Sequence, residues 1–170
     1  MHVERRMPAI ALAALLALAG VMGVVKAVEA DVNVRHRLDV ETGGGKVLVR
    51  VMIENHGQHP IWVPREIAAA DFLSGPRFDL RSGEGALAYI GRMVKRAAPG
   101  PGDYLEVKPN TTQLNTIDIT AAYAFKPGQH AYEIRYAGPF VENLRRLDVA
   151  AIQNTPSAPV RFTHTGQPGK

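Results

Sequence analysis

The stretch Lys46-Val47-Leu48-Val49-Arg50-Val51-Met52-Ile53-Glu54 alternates strictly. Val47, Val49, Val51 and Ile53 fall on one side, and Leu48, Arg50, Met52 and Glu54 on the other. A side-chain period of two, carried by β-branched residues, is the signature of a strand with one buried face. The valine and isoleucine set is therefore expected in the core. Gly43-Gly44-Gly45 before the stretch and Asn55 to Pro60 after it are turn chemistry, because Gly and Asn tolerate the left-handed region and Pro60 cannot continue a central ladder.

Working outward, the same period recurs. Val32 to Val40 predicts a strand before the triple glycine, and Ile61-Trp62-Val63 a short one after the turn, with the sole tryptophan as a candidate for the buried centre. Arg65 to Ala70 suits one helical turn. Phe78 to Arg81 returns to a strand, Ser82 to Gly85 turns it, and Leu87 to Val94 is read as another strand. Pro99-Gly100-Pro101-Gly102 then interrupts regular structure. Tyr104 to Val107, Leu114 to Ile119 and His130 to Tyr136 follow as strands, with Thr120 to Phe125 as a short helical crossover. Leu144 to Ile152 fits a short helix or a loose hairpin, Ala158 to Thr163 a last strand beside the N-terminal ones, and residues 166–170 a frayed tail. Roughly seven to nine short strands at this spacing predict an all-β fold, an immunoglobulin-like antiparallel β-sandwich. Gly128 to Tyr132, a turn leading into a tyrosine, fits the tyrosine corner of such folds.

The first 30 of the 170 residues read differently from the rest. Arg5 and Arg6 precede an uncharged Ala- and Leu-rich run from Pro8 to Val25, and Val25-Lys26-Ala27 and Val28-Glu29-Ala30 offer small-residue cleavage sites. This predicts a signal helix over 1–30 and an exported, periplasmic or secreted product. The run is also close to the length of a membrane span, so an uncleaved anchor stays open as the alternative and with it the one route to a membrane. Residues 31–165 form a single expected domain. Loss of 1–30 removes three cations and two anions from the formal charge of +4, leaving +3, with no basic run longer than two. Nucleic acid is thus not an expected partner. The absence of cysteine excludes disulfides, thiolate metal sites and a cysteine nucleophile.

Two groups of residues are candidate sites. His56 and His59 share a turn with Glu54 and Glu66 nearby in sequence, but a metal site needs three or four ligands, and solvated turn histidines are the simpler reading. No Gly-x-Ser-x-Gly elbow or other nucleophile signature occurs, so an enzyme is not expected, nor a cofactor. The second group is Tyr89, Arg92, Lys95, Arg96 and Tyr104 around the Pro-Gly break. Arginine and tyrosine anchor protein interfaces more often than most residues, which makes this the candidate protein-binding surface. The competing reading puts Tyr89 and Val94 in the core and leaves the cations as a solvated strand face.

Several strings resemble a known domain when taken as a set. They are Asn55-x-Gly-x-x-Pro-Ile-Trp-Val63, Phe78-Asp-Leu80, Tyr89-Ile-Gly-Arg-Met-Val-Lys-Arg-Ala-Ala-Pro99, Asp103-Tyr104, and Asp118-Ile-x-x-x-Tyr123 before Pro127-Gly-x-x-x-Tyr132. Together, over about residues 31–137, they are similar to the non-catalytic N-terminal β-sandwich that precedes the catalytic domain of bacterial deuterolysin-like and lysine-specific zinc metalloendopeptidases. Those enzymes carry a His-Glu-x-x-His helix, which this sequence lacks. The resemblance therefore implies the accessory domain without its protease. It suggests a non-enzymatic exported domain that binds a protein partner, a secreted metallopeptidase being the first candidate, as inhibitor or folding helper. A structural or ligand-binding cell-envelope sandwich is the alternative, and a periplasmic metal-binding protein using His56 and His59 a weaker one.

Overall fold

The structure, a computed structural model, describes residues 33–95 and 98–167. The leader expected over 1–30 and the candidate Arg96 lie outside the described residues. The described chain is predominantly β, arranged in several antiparallel sheets. Strand β1 (Val34–Gly43) turns at Gly44 and Gly45, both at positive φ, into β2 (Lys46–Asn55), which pairs on its other side with β7 (Thr111–Asp118). A second sheet has the order β11 (Val160–Gly166), β8 (Gly128–Tyr136), β4 (Phe78–Ser82), β5 (Gly85–Ala86). A shorter pair joins β3 (Ile61–Pro64) to β6 (Tyr104–Val107), and a two-residue pair joins β9 (Pro139–Phe140) to β10 (Gln153–Asn154).

The period-two reading of β2 holds residue by residue: Val47, Val49, Val51 and Ile53 are all buried. They meet Val34 and Leu38 of β1, Ile117 of β7, Phe78 and Leu80 of β4, and Tyr132, Ile134 and Tyr136 of β8 in one continuous core. Each such side chain stabilises by about 1.5–3 kcal/mol relative to exposure. With no cysteine to cross-link the chain, this core and its hydrogen bonds hold the domain.

Trp62 is not the buried centre. In a strand as short as β3 only one parity can face inward, and Ile61 and Val63 take it, so Trp62 stands on the opposite face, partly covered. Its backbone exchanges N–H to O bonds with Val141 (2.8 and 2.9 Å), tying β3 to the β9 segment. Three further expectations are corrected. Thr120 to Phe125 is a non-helical turn, since the Ala122 carbonyl that a helix would use internally accepts from Ile90 and Gly91 instead. The last strand pairs with β8 rather than with the N-terminal strands, in a register from Val160 opposite Ile134 to Gly166 opposite Gly128. It runs through Gly166, which the expected frayed tail had included, and residues 168–170 lie outside the described residues.

Two polar knots, one buried and one half-buried, position the loops. Asn55 donates to the carbonyls of His59 (2.9 Å) and Val107 (3.0 Å) and accepts the Gly57 N–H (3.0 Å), fixing the 55–60 turn against β6. The other knot secures helix α1 (Arg65–Ala69), whose five residues leave their terminal carbonyls without helical partners. The side-chain amide of Gln113 donates to Ala68 O (2.8 Å), and that of Asn115 to Ile67 O (2.9 Å) and Ala70 O (2.7 Å). The open edge of β7 is thereby covered by α1, a standard remedy for an unpaired strand edge.

Candidate functional site

Leu87 to Val94 is not a strand, and what replaces it builds the most conspicuous surface of the domain. Tyr89 makes a single antiparallel bridge to Tyr123, after which the N–H groups of Ile90 (2.9 Å) and Gly91 (3.1 Å) both donate to Ala122 O. Val94 N–H donates to Ser74 O at 3.1 Å. The segment therefore runs as an irregular strap beside residues 72–74 and over the 120–122 turn. Gly91 is required for this path: a Cβ there would sit 2.9 Å from the Tyr89 ring and 3.0 Å from the Ala122 backbone.

The strap divides the candidate residues by role. Tyr89 is structural. Its ring stands edge-on to Tyr123 at 5.4 Å, and its hydroxyl lies within donating distance of Leu73 O (3.1 Å) and Arg92 O (2.9 Å). Burial pushes its phenol above the ordinary value, which keeps it a neutral donor. Arg92 and Lys95 project into solvent, and among the described residues neither forms an ion pair. Tyr104 lines a different cleft, with Glu66 and Arg77, from the hollow that Arg92 lines.

Beside the two cations stand four apolar side chains that globular surfaces seldom expose together. Phe72 is 53% exposed, Ile90 63%, Met93 72% and Val94 40%. Phe72 and Arg92 line one shallow hollow with Leu73, Gly91 and Ala122, and Ile90 lines a second with Tyr123 and Phe125. Val94 is exposed, which removes it from the core, where the competing reading had put it. Sequence reasoning missed Phe72, and the burial pattern explains why. Phe72 precedes the buried Leu73, and no periodicity around it says which of the two faces out.

A cleft of about 310 Å³ is lined by Pro64, Pro99, Tyr104, Pro139, Phe140 and Ile152, with Glu66 and Arg77 as its principal charged pair. Glu66 is buried, and Ser74 donates to its Oε1 through both backbone N–H and hydroxyl (2.9 Å for the hydroxyl). Arg77 donates to Oε2 from Nε (3.1 Å) and Nη2 (2.9 Å). Burial alone would raise the Glu66 carboxyl, but the Ser74 donors and the Arg77 guanidinium outweigh it and hold the group below its ordinary value, ionised at neutral pH. These residues are eight and eleven apart in sequence, a spacing that carries no local signal.

No protein-family model matches the chain, and no curated protein matches it.

The histidine turn does not assemble a metal centre from described residues. His56 and His59 are both exposed, His56 Nε2 lies 3.3 Å from Glu54 Oε2, and no group of three or more His, Asp or Glu side chains gathers among the described residues. Glu66 is instead committed to Ser74 and Arg77 beneath the cleft.

Proposed function

We propose that this chain is an exported, non-enzymatic protein-binding domain of the immunoglobulin-like sandwich type, and that its partner docks on the face formed by Phe72, Ile90, Met93 and Val94. The exposure of Ile90, Met93 and Val94 on a braced strap, with Phe72 exposed on the segment beside it, is the observation that carries the reading. Contiguous exposed apolar surface of this kind marks interaction sites. Arg92 and Lys95 beside it favour a partner with acidic groups around an apolar patch. The strap is already tied down by the bonds to Ala122 and Ser74, so docking orders little additional chain.

The sandwich reading draws support from the shared core of the two larger sheets and from Tyr132, whose hydroxyl accepts the Lys126 N–H at 3.2 Å across the turn entering β8, as a tyrosine corner would. The partner suggested by the resemblance is a secreted zinc metallopeptidase, bound as an inhibitor would bind it or as a folding helper would. Ile90→Asp with Met93→Asp should leave the melting temperature nearly unchanged, because both side chains are already in water. It should weaken capture of the peptidase from the periplasm or medium by tenfold or more, about 1.4 kcal/mol. Undiminished capture by the double variant would overturn the assignment.

A further inference from the structure

Arg77 is held by one edge only. Its Nε and Nη2 both donate to Glu66 Oε2, whereas Nη1 has no hydrogen-bond partner among the described residues, and its side chain is 42% exposed where it lines the cleft. The second edge of the guanidinium, formed by Nη1 and the remaining Nη2 hydrogen, is thus a fixed two-donor fork beside an apolar slot. Such a fork matches the two oxygens of a carboxylate. Glu66 does not compete for that edge, since it engages the opposite one and is also bound by Ser74. Asp103, also in the lining, accepts the Gly100 N–H at 2.9 Å. Selectivity would come from the geometry of the fork rather than from net charge.

The apolar walls set the rest of the ligand. Phe140 is buried, Tyr104 and Ile152 are half-buried, and the prolines add rigid surface without N–H groups that would need partners. A volume near 310 Å³ is at the small end of ligand sites, room for about one large side chain. We propose that this cleft captures the C-terminal residue of a polypeptide, seating an apolar side chain against Phe140, Tyr104 and Ile152 and its terminal carboxylate on the outer edge of Arg77. The cleft shares Glu66 and Asp103 with the hollow over α1, which reaches Phe72. The assignment deepens the protein-binding reading and rests on it, since a partner lying across Phe72 can extend its C-terminus into the cleft.

The test is calorimetric titration of the full-length chain with a hexapeptide ending in Phe, as the free acid and as the C-terminal amide, with phenylacetate as a small carboxylate control. The acid should bind at least about tenfold more tightly than the amide. Ile152→Trp, which fills the slot and leaves the Glu66–Arg77 pair untouched, should abolish binding without lowering the melting temperature. Arg77→Gln, where it folds, should erase the difference between acid and amide. Equal binding of both peptides, absence of binding by either, or phenylacetate binding as tightly as the peptide would each overturn the assignment. Ile90→Asp with Met93→Asp should leave hexapeptide binding intact, so failure of the strap and failure of the cleft are read separately.

Discussion

His36 makes folding dependent on acidity in a way that can be calculated. It faces inward from β1, is 3% exposed, and stands edge-on to Tyr136 at 5.5 Å. Its Nδ1–H donates to Thr155 O at 3.1 Å, so Nε2 is the bare nitrogen, and it has no partner. Protonating Nε2 would place a charge in an apolar pocket with no acceptor beside it. Burial accordingly drives the pKa down from 6.5 to about 4, against a small opposing effect of the Thr155 carbonyl. Above pH 6.5 the folded and unfolded states are both neutral at this site and nothing is lost. As pH falls below 6.5 the unfolded chain takes up a proton that the folded chain refuses, and stability declines until the folded pKa is reached. The gap between 6.5 and about 4 sets the full loss at roughly 3 kcal/mol, with about 1 kcal/mol gone a pH unit below 6.5. A typical domain has about 5–15 kcal/mol in total, so the effect is large. Urea denaturation at half-unit steps from pH 7.5 to 4 measures it, with His36→Phe as the reference that keeps the ring contact to Tyr136 but cannot titrate. Carboxylates such as Glu66 contribute to both profiles and cancel in the difference. Superimposable profiles for wild type and variant would refute the reasoning.

The core and loop assignments are checked by the same melts. Ile134→Ala, at a fully buried site between β4 and β11, should cost about 2–5 kcal/mol, whereas Trp62→Ala, on the outer face of β3, should cost less despite removing more atoms. Asn55→Ala removes three hydrogen bonds that fix the 55–60 turn against β6, an expected loss of about 2–4 kcal/mol, with amide exchange of Gly57 rising first. Gly138→Ala should destabilise by about 3 kcal/mol or more. Gly138 has a φ of 65°, and a Cβ there would lie 2.1 Å from Thr155 O and 2.6 Å from His36 Nδ1. A smaller loss would mean that the His36 pocket can relax.

The alternation in Lys46 to Glu54 was enough to specify a strand and its inward face, because a period of two leaves only one parity apolar. The same logic gave β4, β6, β7 and β8, and turn chemistry located most of the breaks between them. It failed where parity and composition disagreed. In Ile61-Trp62-Val63 the largest side chain suggested the core, but two β-branched neighbours outweighed one indole and turned it outward. In Leu87 to Val94 the composition was that of a strand, yet the backbone donors of Ile90 and Gly91 went to one carbonyl in a distant turn, a choice no local pattern encodes. Arg92 and Lys95 were legible as exposed cations. The apolar face beside them required knowing that residues 72–74 run alongside. The cleft is further from the sequence still, since Tyr104, Phe140 and Ile152 converge only because β3 pairs with β6 on one side and bridges to the β9 segment on the other. Local periodicity is set by the nearest covalent neighbours and can be read along the chain. The Glu66–Arg77 pair and the walls around it depend on strand order, which the tertiary structure alone decides.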